Sequence, residues 1–409
     1  MSLSVTGYPD QRKKFMTHLS PNTYLPVNWA DGMKINKDHF RSEQKANNWQ
    51  QALHSSALLN DYNYGLFLSG PANDTSRQIV LTTDNQQQVT IKLLNCQAIT
   101  PGGHLVYIQE GTTTREESLM VAVPGLQIPY ARLAALDTEY YVMLAVNPFN
   151  RIPAGEPDIA ESQLRPPFTI PDFHIQLVDL RDSRHGGPGA FYLPLGRIKV
   201  SEGKVLSDEE YIPPCTSMAA HGSLVALHAE LESFFGGMES NILRIQQKIV
   251  QKNQQNELAM IIGELCDAMS VYLCGEYQRL LLEYKFQPPV RMVSGIAGLA
   301  RLMKNRLDVY TGIMKDELLN YIAEWCGITQ GEWEATATGI CNYRYDHMNI
   351  REAVRQVEQF TRLALRLFNS LAALEYIGKK KEAGIFVKEH LVVPAAEMPA
   401  ARRKSFLAD

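Results

Sequence analysis

The chain has few cysteines, six in 409 residues, and none forms a Cys-x-x-Cys pair. Cys96, Cys215, Cys266, Cys274, Cys326 and Cys341 lie far apart, whereas metal sites and disulfide frameworks cluster their thiols. Buried free thiols in a reducing compartment are therefore expected. Neither sign of charge is in excess: 40 Lys and Arg against 44 Asp and Glu leave −4, with no basic footprint for nucleic acid. No run approaches the roughly 20 apolar residues that cross a bilayer. Met1 to Phe15 alternates polar and apolar residues, contains Arg12-Lys13-Lys14 and lacks the apolar core of a secretory signal. These absences predict a cytoplasmic protein. No Gly-x-Ser-x-Gly elbow, phosphate-cradling glycine loop or ligand-spaced His, Cys and carboxylate set is found. We therefore expect no enzyme, no cofactor, no metal and no small-molecule substrate.

What is present suits a folded chain of more than one domain. Hydrophobic residues make up 45% and charged residues 21%, an ordinary soluble balance, and the length allows two cores. From about Tyr62 to Val205 the pattern is of strands. Tyr62–Leu68, Val89–Leu93 and Phe173–Leu177 alternate, while Tyr140–Val146 is apolar on both faces as a central strand is. Pro101-Gly102-Gly103, Pro153-Ala154-Gly155 and Gly186-Gly187-Pro188-Gly189 punctuate them, which suggests an antiparallel β-sandwich. One helix precedes, from Asp38, read as its cap, to about Leu59, with Ala46, Trp49, Leu53 and Ala57 on one face.

The period changes after Tyr211-Ile212-Pro213-Pro214-Cys215, where two prolines stop any ladder and mark a domain boundary. Leu224, Leu227, Leu231, Phe234, Met238, Ile242, Ile245 and Ile249 then follow at steps of three and four, a heptad seam with a stutter beside Gly236-Gly237. The seam suits the inside of a single-chain bundle or a surface shared between chains. The polar stretch Gln251–Glu257 ends this helix or weakens it. Further helical patterns run over Leu258–Phe286, broken by Pro288-Pro289, and over Val290–Trp325. A last helix follows Asn349, with Glu352 as capping-box partner and Gly378 at the C-terminal cap. Four such helices predict an antiparallel bundle, so the fold class expected is α+β.

Pro26-Val27-Asn28-Trp29-Ala30-Asp31-Gly32-Met33-Lys34-Ile35, running into Asp38-His39-Phe40, reads as an extended lead-in, a turn and a helix start. Its spacing resembles the start of TssK, the trimeric baseplate adaptor family of type VI secretion systems. Three more fragments are similar to family segments in the same order: Cys96–Gly103; Leu195–Ile198 with Tyr211–Cys215; and Tyr345-Asp346-His347 before the last helix. The resemblance implies a phage-like shell domain over 25–217, docked on baseplate wedge proteins, and a neck over 218–378 around which a homotrimer assembles. It implies a structural link to the membrane complex at the cytoplasmic face of the inner membrane. Family members continue into a head domain. Here 1–24 reads as an arm and 379–409 as a basic tail too short for its own core, so a headless subtype is expected. Its membrane-complex partner would meet the neck end or the tail, where Lys379-Lys380-Lys381 and Arg402-Arg403-Lys404 offer charge.

Trp29, Asp31, Met33, His39 and Phe40 are the candidate partner-binding residues, on the reading that large aromatics mark binding hot spots. Trp29, Met33 and Phe40 read first as core or staple residues, and the grip of a partner on Trp29 and its turn is the functional alternative. His39 and His347, each beside an acid, read as helix-start contacts because no further ligand stands nearby. His185-Gly186-Gly187-Pro188-Gly189 resembles an oxyanion-hole segment, but Ser294-Gly295-Ile296-Ala297-Gly298 lacks the first glycine of a nucleophile elbow. A Gly-Pro loop between strands is the reading kept. A phage-type receptor- or carbohydrate-binding module is the alternative function, and a hydrolase of unknown class the second alternative.

Overall fold

The computed structural model describes residues 24–67, 77–109, 124–134, 139–157, 162–180, 189–201 and 204–378. Leu68, His185 to Pro188, the arm before Tyr24 and the tail from Lys379 lie outside the described residues. The chain is α+β: antiparallel sheets occupy the N-terminal half and helices the C-terminal half. It divides into two compact units, 1–232 with 276–297 and 342–358, and 233–275 with 298–341 and 359–409.

In the first unit, helix α1 (Lys37–Ser56) precedes a sheet of β1 (Gly65–Leu66), β2 (Arg77–Thr83), β3 (Gln88–Ile99), β4 (Leu105–Gln109) and β5 (Gly125–Pro129). All of its partners pair antiparallel with β3. Along β3 the buried side chains are Val89, Ile91 and Leu93, then Cys96 and Ala98, with Ile99 also buried at the strand's end, so the alternating inward set moves from odd to even numbers. The cause is a bulge: Gln78 pairs with Asn95 but Ile79 with Leu93, leaving Leu94 as an extra residue. One inserted residue flips every later side chain to the other face.

A short helix, α2 (Tyr130–Ala134), leads to the second sheet, ordered β7 (Phe168–Asp179), β6 (Glu139–Ala154), β8 (Tyr192–Ser201) and β9 (Lys204–Ser207). Tyr140 to Val146 are all buried, as the unbroken apolar run of a central strand requires. Where β8 bulges against β6, Leu195 has no opposite residue, and its carbonyl accepts from the Arg77 guanidinium of the other sheet. Ile79 Cδ1 packs on Gly196 in the same place, so the two sheets face one another there.

The Pro-Pro segment is not a bare linker. Tyr211, Ile212 and Cys215 are buried. Leu66 N–H donates to the Pro214 carbonyl at 2.8 Å and Thr216 N–H to the Leu66 carbonyl at 2.9 Å. Proline lacks a donor but keeps its acceptor, which β1 uses. Gly65 is required here: its φ is +114°, and a Cβ would lie 2.0 Å from the Pro214 oxygen.

The helical half comprises α3 (Gly222–Gln251), α4 (Glu257–Leu282), α5 (Pro289–Asp308), α6 (Ile313–Cys326), α7 (Gln330–Asn342) and α8 (Ile350–Ala373). The pattern expected as one helix over Val290–Trp325 breaks between Asp308 and Ile313, at Gly312. Helix α7 was not anticipated, because only Trp333, Ala337 and Ile340 of its face are buried and glycine and threonine dilute the period. Contacts of Gln246 with Asp267 and of Tyr272 with Gly298 show α3, α4 and α5 running antiparallel in turn. Helix α8 lies beside α3 in the same direction, with Asn241 on Asn369 and Lys248 on the carbonyl of Leu374.

Two helix-end expectations are corrected. Asn36, not Asp38, caps α1: its Oδ1 accepts from the amides of Asp38 (2.9 Å) and His39 (3.2 Å), since the cap must precede the first turn. Gly378 does not cap α8, which ends five residues earlier. Instead Lys248 reaches across from α3 and donates to the carbonyls of Ala372 and Leu374, satisfying the orphan acceptors with a cation. The polar stretch after α3 then binds the following turn: Gln254 Oε1 accepts from Ile377 N–H, and Asn256 Nδ2 donates to the Ile377 carbonyl.

Helix α4 is long and apolar enough to cross a membrane by length and composition, contrary to the reading that no run approaches that size. Its apolar side, including Leu258, Ile262, Leu265, Met269 and Leu273, is buried. A core helix of a bundle passes the same test.

Candidate functional site

The N-terminal elbow gathers the five candidate partner residues. Tyr24 stacks on Phe149 at 4.4 Å and meets the edge of Trp49, which α1 buries against the sheets together with Ala46 and Ala52. From this root the chain runs outside helix and strand to Ala30 and turns at Asp31-Gly32, with Met33 N–H donating to the Ala30 carbonyl at 3.2 Å. It enters α1 through the Asn36 cap. His39 Nδ1 accepts from Asn36 N–H at 3.2 Å, which closes a capping box and occupies that ring nitrogen.

Beyond the root the elbow is exposed. Trp29 is 46% and Phe40 62% exposed, and their ring centroids stand 6.1 Å apart. Trp29 lies at the same distance from His39. Leu25 and Ile35 are exposed as well, Asp31 faces solvent, and Met33 is half-buried with its Sδ toward the Ala30 amide. An open depression beside Phe40 is lined by Arg41, Glu43, Gln44 and Asn47. By contrast Trp49 and Trp333 are each 5% exposed. The sequence reading missed Leu25, Ile35 and Glu43; the partner of Glu43, Val27, lies sixteen residues away, so no local spacing marked it.

The α3 seam has a different placement. Leu224, Leu227, Leu231, Phe234, Met238, Ile242 and Ile245 are buried by this chain alone, and Ile249 is half-buried against Gly263. They are already spent on the bundle.

The remaining polar candidates sit in packing roles. His347 is buried; its Nε2 lies 2.9 Å from the Tyr64 carbonyl and its Nδ1 3.0 Å from the Tyr345 hydroxyl. A carbonyl only accepts, so Nε2 carries the proton and Tyr345 donates to Nδ1. Burial lowers its pKa from 6.5 to about 4. His104, stacked on Phe191, is likewise lowered to about 4 by burial. Burial pushes the thiols of Cys96, Cys266 and Cys326 up to about 12, which leaves them unreactive at neutral pH. Cys274 departs from the expectation of buried thiols, being exposed on α4. Among the described residues no three His, Cys, Asp or Glu side chains lie close enough to hold a metal ion. Ser294 to Gly298 lie inside α5, where Gly298 packs on the Tyr272 hydroxyl, so this segment is helix contact and not an elbow.

No protein-family model matches the chain, and no curated protein matches it. Among the solved structures to which it is similar are structures of TssK. A TssK from the type VI secretion system of EAEC, in complex with a nanobody, is 14% identical and has a TM-score of 0.45, covering 80% of this chain and 99% of that one. A crystal structure of TssK is 13% identical at TM-score 0.44, covering 83% of this chain and 69% of that one. The TssK of a TssK-TssF-TssG baseplate subcomplex, also 13% identical, aligns at TM-score 0.42 over 83% of this chain and 98% of its own.

Proposed function

We propose that the protein is a structural, non-enzymatic subunit of a type VI secretion baseplate. In this reading the sheet-bearing half docks on wedge proteins, counterparts of TssF and TssG, and the helical half points toward the membrane complex. The apparatus is inferred from the ordered fragments that resemble TssK. The observation that carries the docking role is the elbow: a capped, anchored helix start that presents Trp29, Ile35 and Phe40 to solvent. Large aromatics presented at a surface are common anchors of an interface.

A homotrimer belongs to the same proposal. Its contacts would come from residues other than the α3 seam, which the single chain covers. The cytoplasmic location and a membrane-side contact at the neck end or the basic tail also belong to it.

The test is the double variant Trp29→Ala, Phe40→Ala, measured for affinity to the co-expressed wedge proteins. Both side chains are exposed, so stability should change by no more than about 0.5 kcal/mol. Loss of two anchors should weaken binding at least about tenfold. Wild-type affinity in a folded variant refutes the docking role. A light-scattering mass of one 46.0 kDa chain, and not three, at micromolar concentration refutes the trimer.

A further inference from the structure

The exposed aromatics of the elbow are held by very little. Residues 25–30 belong to no helix or strand, and among the described residues one hydrogen bond joins them to α1: Val27 N–H donates to Glu43 Oε2 at 2.8 Å. Glu43 stands three positions after Phe40 and four after His39, so all three share one face of the helix. Val27 lies opposite Glu43 and, two residues on, Trp29 meets His39 and Phe40 one helical turn earlier, so the segment runs against the helix direction. A carboxylate accepting from a backbone amide makes a stronger, charge-assisted bond than a neutral acceptor does.

We infer that Glu43 is a positioning residue, whose carboxylate sets the register of 25–30 on α1 and with it the spacing of Trp29 and Phe40. That a partner reads this spacing rests on the docking role proposed above. Glu43 touches neither ring through its carboxylate bond; it acts through the backbone of Val27.

The experiment uses the full chain labelled with 5-fluorotryptophan, with the Trp29 ¹⁹F resonance assigned from Trp29→Phe. Glu43→Ala should move that resonance toward the free amino acid and raise Val27 amide exchange at least tenfold. The other three tryptophan resonances should stay in place. Glu43→Gln retains an acceptor and should restore both readouts in large part, which a mere loss of helix stability would not allow. Affinity for the co-expressed wedge proteins should fall three- to tenfold in Glu43→Ala and recover in Glu43→Gln. An unchanged Trp29 resonance and Val27 exchange in Glu43→Ala overturn the positioning role, whatever the binding does. Release of Trp29 with wild-type wedge binding, both here and in the Trp29→Ala, Phe40→Ala protein, keeps the pin and refutes the docking role.

Discussion

Replacing His347 by Gln should flatten the pH dependence of the first unit's stability. In the fold His347 is neutral, donating from Nε2 to Tyr64 and accepting at Nδ1 from Tyr345. A second proton on Nδ1 would confront the Tyr345 hydroxyl in a buried site. With a folded pKa of about 4 and an unfolded value of 6.5, the unfolded chain binds the extra proton between those limits. Stability from this group is therefore complete above pH 6.5, falls as pH drops toward 4, and is level below that. The full span is about 3 kcal/mol, and the steepest slope about 1.4 kcal/mol per pH unit. His104, lowered to the same value by burial, adds a similar slope. Gln keeps an N–H for Tyr64 and does not titrate. The first unit's unfolding free energy would be followed through hydrogen exchange at the Leu66 and Thr216 amides, which close the contact between β1 and the Pro-Pro segment. Between pH 6.5 and 4.5 the variant should lose roughly half the histidine slope. An identical slope in variant and wild type would show that His347 is not buried neutral, and the assigned hydrogen-bond directions would fall with it.

Two further outcomes concern the helical half. Gly298→Ala places a Cβ 2.2 Å from the Tyr272 hydroxyl oxygen and should cost about 2–3 kcal/mol by overpacking. Tyr272→Phe in that background should recover at least half, so strictly additive effects in a thermal double-mutant cycle would refute the contact. Lys248→Met keeps the aliphatic stem but strips the cation from the end of α8, at a cost of about 1–2 kcal/mol. Faster exchange confined to the last turn of α8 is expected, and unchanged protection there would count against the cap.

Much of the fold was legible in the chain because its signals are local. The two-residue period of Val89, Ile91 and Leu93, the unbroken apolar run of Tyr140–Val146 and the three-four spacing of α3 and α8 each follow from which face a side chain meets. What lay beyond the sequence was whatever depends on a distant neighbour. The Leu94 bulge that reverses β3 is set by its pairing with β2. The end of α8 is capped by a lysine more than a hundred residues earlier, so the nearest glycine misled. Heptad spacing describes a buried stripe and is blind to who buries it; only the packed chain assigned the seam from Leu224 to Ile245 to its own bundle. The elbow divides the same way. Trp29 and Phe40 stand out in the sequence as aromatics beside a turn, but their exposure and the Val27–Glu43 bond beside them are visible only in the folded chain. Backbone periodicity is a property of consecutive residues, whereas burial and capping are properties of the surfaces that meet after folding.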